Sequence, residues 1–125
     1  MEAPTITLGA VTATLLPCSP FTALALIPAE GEGAEVGIAK ACATIGLCWP
    51  TTGGWPAKTR PKPWVPGASL IIYGASVFDA LSHAGHATSA ILEAATKAYT
   101  WAVSALPSEQ EVTAAEGFSG APTGG

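Results

Sequence analysis

Asp79 and His83 stand four residues apart, with His86 close behind, and of all the side chains in this sequence they are best spaced for acid–base chemistry. On a helix that spacing puts both groups on one face, where a carboxylate can orient an imidazole that titrates near neutrality. A catalytic site needs further parts, and no nucleophile motif, phosphate-binding loop or metal-ligand spacing accompanies the pair. A histidine near a helix C-terminus is also favoured there by the helix dipole, without any reaction. Cys18, Cys42 and Cys48 are odd in number and fit neither CxxC nor Cys/His spacing. Cys42 and Cys48 lie six apart on a helical segment, so their side chains diverge. All three read as buried, reduced thiols acting as small apolar groups, which suits a reducing cytoplasm. The expectation is a protein with no catalytic residues, no cofactor and no metal; a small enzyme using Asp79 and His83 is the remotest alternative.

Charge points the same way. Only 11% of the 125 residues are Asp, Glu, Lys or Arg, against roughly 25% in an ordinary soluble domain. Lys58, Arg60 and Lys62 are the single cationic cluster. With a net charge of −4 they are too few to neutralise a phosphate backbone, so nucleic acid is not the expected partner. Acids gather in a Gly-rich joint (Glu30, Glu32, Glu35) and near the C-terminus (Glu109, Glu111, Glu116). The uncharged run from Ala3 to Ala29 holds five Thr residues, Pro17 and Pro20, and only Met1-Glu2 precede it. Prolines interrupt a spanning helix and a signal peptide wants a positive flank, so this run is expected to fold rather than enter a membrane. A surface so poor in charge is weakly defended against association and implies a protein partner, with self-association as a further outcome.

The elements that must carry this surface follow from periodicity. Thr5-Ile6-Thr7-Leu8 and Val11-Thr12-Ala13-Thr14-Leu15 alternate apolar and hydroxylated residues around Gly9-Ala10, predicting a β-hairpin over residues 5–16. Ser19-Pro20 is a helix start, and Phe21, Leu24 and Ile27 share a face of a short helix over residues 20–27 that Pro28 stops. A helix over residues 34–47 has Val36, Ala39, Ala43 and Leu47 on one side and Ile38, Cys42 and Ile45 beside them. Gly37 and Gly46 weaken it by roughly 1 kcal/mol each but admit a close neighbour. Helices over residues 69–84 and 88–106 follow, the first built on Leu70, Tyr73, Val77 and Leu81, the second on Ile91, Ala95, Ala98 and Ala102. The short break at Gly85 makes them an antiparallel helical hairpin. Ser108-Glu109-Gln110-Glu111 is a capping box that opens a last helix over residues 108–118, and residues 120–125 form a flexible tail. The fold class is thus mainly α: one small helical domain over residues 1–119 with an N-terminal β-hairpin.

Residues 49–67 are the exception: no periodicity, five prolines, and Trp49, Trp55 and Trp64. Disordered segments lack aromatic residues, so this stretch reads as an extended arm whose rings dock somewhere. Two destinations remain open, the domain's own helices or a partner.

The order of these pieces resembles the tail assembly chaperones of long-tailed bacteriophages. The likeness begins in the hairpin and Leu-Pro of residues 5–17, continues in Tyr73-Gly74-Ala75-Ser76-Val77-Phe78-Asp79-Ala80-Leu81, and ends in Leu106-Pro107-Ser108-Glu109-Gln110-Glu111-Val112, Ala114-Ala115-Glu116-Gly117-Phe118 and the Gly-rich tail. The Trp- and Pro-rich arm is not part of the family's pattern. The resemblance implies a small, mostly helical, non-enzymatic protein of the host cytoplasm that holds the long helical tape-measure protein in solution during tail assembly. It implies partner contacts at Leu70, Tyr73, Val77, Leu92, Tyr99 and Trp101, which serve as core or as groove, and at Trp55 and Trp64 of the arm. The alternative is a structural or tail-completion subunit that remains in the virion.

Overall fold

A computed structural model describes residues 2–51 and 54–106. The expected helix over residues 108–118 and the tail over residues 120–125 lie outside the described residues. Within them the domain is mainly α, with a two-stranded N-terminal sheet.

Strands β1 (Thr5–Leu8) and β2 (Val11–Thr14) pair antiparallel, with Thr5 opposite Thr14 and Leu8 opposite Val11. Gly9 has φ +64 and Ala10 does not share a positive φ, the pattern of a type II′ turn, which suits the twist of the flanking strands. The alternation in sequence becomes an alternation in burial. Ile6, Leu8, Ala13 and Leu15 face the core, while the threonines face solvent and Thr7 and Thr12 join their hydroxyls across the strands at 2.8 Å. A lone hairpin is marginal in water. This one packs on the helix over Thr88–Val103.

Helix α1 (Pro20–Leu26) starts where Ser19 and Pro20 direct it: the Ser19 hydroxyl accepts from the Thr22 amide at 3.2 Å. Helix α2 (Ala34–Cys48) is the centre of the domain and packs against both α3 (Leu70–His83) and α4 (Thr88–Val103). The turn between α3 and α4 is short, but the two helices touch each other little and meet mostly through α2, so they do not pack as the hairpin expected from the sequence. Consecutive burial from Cys42 to Gly46 shows α2 enclosed on every side there, the outcome of apolar residues spread around its circumference. Its larger partners, Leu81 and Ile91, are fully buried and each contributes about 1.5–3 kcal/mol by leaving water. Ala94, Ala95, Ala98 and Ala102 give α4 a small-residue face that lets α2 approach closely.

Helix ends match the signals in the chain. Ser69 caps α3 through the Ile72 amide at 3.2 Å. At the other end Gly85 takes φ +96, its amide donates to the Ser82 carbonyl at 3.0 Å, and the His86 amide donates to the Leu81 carbonyl at 3.2 Å. Those two bonds define a Schellman motif. Helix α4 ends at Val103, and residues 104–106 continue as tighter turns with Ser104, Ala105 and Leu106 amides bonded three residues back. The acidic joint is tied down by a single cation. Lys40, the one buried charged residue among those described, donates to both Glu32 carboxylate oxygens at 2.8 and 3.0 Å and to the Ile27 carbonyl at 3.1 Å.

Candidate partner-binding surface

The arm between α2 and α3 packs on its own domain. Trp49 is buried and donates its indole N–H to the Gly54 carbonyl at 2.9 Å. Its ring meets Trp55 edge to face, centroids 5.3 Å apart, and Trp55 donates to the Thr59 carbonyl at 3.1 Å. Trp64 closes a third loop of the same kind, donating to the Ala68 carbonyl at 2.9 Å. Arg60 crosses back over this cluster. Its guanidinium lies 5.2 Å from the Trp55 ring centroid and donates to the carbonyls of Trp49 (3.0 Å), Pro50 (3.1 Å) and Gly46 (3.4 Å). These are carbonyls at or just beyond the end of α2 that no further helical turn satisfies, at the negative end of its dipole. Arg60 is thus a structural cap for α2, whereas Lys58 and Lys62 point outward with no ion pair among the described residues.

The histidines are used for the same purpose. His83 Nδ1 lies 2.7 Å from the backbone carbonyl of Asp79, so that nitrogen carries the proton and donates to the main chain of its own helix. His86 Nε2 lies 2.6 Å from the Pro56 carbonyl, and its ring sits against Gly9, where a Cβ would come within 2.9 Å of it. One imidazole therefore joins the hairpin turn, the arm and the α3–α4 turn. Among the described residues no group of three or more His, Cys, Asp or Glu is placed to hold a metal, and no helix is long and apolar enough to cross a membrane.

Once the arm is fixed, a cleft of about 620 Å³ opens between it and α3. Pro61, Pro63 and Trp64 form one wall, and Ile72, Tyr73 and Ser76 the other. Ile72 is 69% exposed at its mouth, with Val65 and Ile71 also exposed nearby in sequence. A second cleft, about 650 Å³, lies on the α2 side of the same arm, between Leu16, Leu47, Trp49 and the Pro61–Trp64 segment. Tyr73 borders both. Burial pushes its phenol above the ordinary value, partly offset by the neighbouring Arg60 charge. Compared with known proteins, the chain matches no family model, no curated protein and no solved structure.

Of the residues the sequence offered as partner contacts, Leu70, Tyr73 and Val77 lie in the domain's own core. Leu92, Tyr99 and Trp101 are half-buried on α4. Tyr99 donates its hydroxyl to the Leu26 carbonyl at 3.0 Å and Trp101 its indole N–H to the Leu16 carbonyl at 2.9 Å, so both tie α4 to the N-terminal elements. Trp55 and Trp64 are half-buried, and only Trp64 and Tyr73 meet at the clefts. Sequence reasoning missed Ile72, Pro61 and Leu16. Ile72 carried a signal: Leu70 to Tyr73 are four consecutive apolar residues, and at about 100° per residue a helix cannot turn all of them inward.

The thiols are local. The Cys18 thiol donates to the Ser19 carbonyl at 3.6 Å, and the neighbouring Cys48 thiol holds the half-buried Cys18 thiol below its ordinary value against an opposing effect of burial, while Cys48 itself is raised. Burial alone pushes Cys42 up to about 11.

Proposed function

We propose that this protein is a non-enzymatic assembly factor that holds an apolar helical partner in solution, in the manner of the phage tail assembly chaperones it resembles. The observation that carries the reading is the cleft between the arm and α3. It is walled by proline, tryptophan and isoleucine, and Ile72 stands open at its mouth. Every tryptophan indole N–H is already bonded to a main-chain carbonyl of the domain, so the arm offers a partner ring faces and proline edges rather than unmet donors. Such a lining suits the apolar stripe of an amphipathic helix. A second apolar face, Phe21, Leu24 and Ile27 of α1 and its C-cap, is exposed and is the surface we assign to self-association.

The test is co-expression with a long, heptad-rich helical protein encoded beside it, followed by affinity capture. The expected result is co-purification that Ile72→Glu abolishes while the variant keeps its circular-dichroism melting curve. No co-purification with the unaltered chain overturns the reading. A subunit retained in a finished particle is the second reading, favoured by a two-stranded sheet whose outer edges pair with no strand among the described residues. Finding the protein in purified particles would select it.

A further inference from the structure

The second cleft, on the α2 side of the arm, has features that the partner reading does not use. Arg60 and Lys62 line it, and neither has a carboxylate partner among the described residues, where the one ion pair is Lys40 with Glu32. Most of its remaining wall is apolar, with Leu16, Leu47, Trp49 and Trp64 beside Thr51 and Tyr73. An occupant must therefore bring carboxylates to one rim and apolar side chains to the floor. Residues 108–118 of this chain have that composition, with Glu109, Glu111 and Glu116 interleaved with Val112, Ala114, Ala115 and Phe118.

Position agrees with composition. Leu16, a wall of the cleft, accepts the Trp101 indole hydrogen bond at 2.9 Å. Leu106 follows Trp101 by five residues and is bonded back to Val103 at 3.1 Å, so the chain is still beside this wall where the described residues end. Ser104 and Ala105 share a small pocket with Pro17 and Cys18, the residues that follow Leu16.

We infer that the α2-side cleft is the docking site of the chain's own segment 108–118, which covers the apolar wall and places its glutamates against Arg60 and Lys62. The inference stands without the assembly role, since it concerns contacts within one chain. A second copy supplying the same segment and an external helix taking the cleft are the competing occupants.

The full-length protein tests it by zero-length carbodiimide coupling, which joins a carboxylate and a lysine ammonium only when they touch, with peptides read by mass spectrometry. Lys62 should couple to Glu109, Glu111 or Glu116 within the monomer, well above coupling of that segment to Lys58 or Lys97. Phe118→Ser, a change outside the described domain, should lower the Lys62 coupling several-fold, as should raised salt. Coupling of Lys62 no greater than that of Lys97 would overturn the inference. So would Lys62 products confined to covalent dimers, or a Lys62 yield unmoved by both Phe118→Ser and salt.

Discussion

Gly74 of α3 faces the backbone of Ala39 in α2 so closely that a methyl group added to it would overlap the Ala39 carbonyl. About two turns of α2 further along, Gly46 leaves the matching space for the Tyr73 hydroxyl. The central helix pair crosses at these two glycines, and the packing of the arm and both clefts depends on that distance. Gly74→Ala forces the helices apart and should cost about 3 kcal/mol or more, the upper range for overpacking against rigid backbone. Gly37, also in α2, has nothing within 4 Å of a built Cβ, so Gly37→Ala should gain about 1 kcal/mol from helix propensity. Urea denaturation of the two variants checks the contrast, and an unchanged midpoint for Gly74→Ala would refute the crossing.

Arg60 is the second element on which the clefts depend. One guanidinium reaches three main-chain carbonyls near the end of α2 and covers Trp55. An ammonium has neither the planar fork nor the reach to do this, so Arg60→Lys should lose about 1–2 kcal/mol. Arg60→Met, which preserves the apolar stem and loses all three bonds, should lose at least as much. Tryptophan emission should move in both, because Trp49 and Trp55 pack edge to face beneath the cation. Emission and stability both unchanged in Arg60→Lys would show that the cap is not formed in solution.

The elements were legible in the sequence because their signals are local. Alternation set the faces of the hairpin, Ser19 marked a helix start, and Gly85 marked a stop, each through a bond within a few residues. The site was less legible because its parts act at long range. Lys58, Arg60 and Lys62 look alike in sequence, and only the fold turns Arg60 back onto α2. His86 invited a chemical reading, yet its partner is the carbonyl of Pro56, thirty residues away. Leu70, Tyr73 and Val77 were assigned jointly to core or groove, a choice that periodicity cannot make, since both faces of α3 are apolar. Burial by α2 makes the assignment.

The bond between Glu32 and Lys40 predicts a defined loss of stability in acid. The Lys40 hydrogen bond, aided by the Ala29 backbone, holds the Glu32 carboxyl below its ordinary 4.5. A depressed carboxyl binds fewer protons folded than unfolded, so its contribution is complete above the ordinary value and fades as pH falls through the folded one. Glu32→Gln should therefore be less stable than the unaltered chain at about pH 7, and the gap should narrow as acid protonates Glu32 in the folded chain, at a pH below the ordinary 4.5. Denaturant midpoints across that range check it. A gap that persists in acid would mean that the glutamine acts by something other than lost charge.

Thiol reactivity provides the last prediction, because thiolate rather than thiol is the nucleophile. Cys18 is half-buried with its titration lowered by the neighbouring Cys48 thiol, whereas Cys42 and Cys48 are buried and raised. In the native protein an alkylating reagent at neutral pH should modify Cys18 first, and all three cysteines should react after unfolding. Cys48→Ala removes the neighbouring thiol and should slow Cys18 labelling several-fold, while Cys48→Ser, which retains a polar hydrogen at that position, should preserve much of the rate. Equal rates in Cys48→Ala and the unaltered chain would show that exposure alone, and not the neighbouring thiol, governs Cys18. A rate that falls equally in both variants would point to altered packing at the end of α2, which is why the serine variant belongs in the same experiment.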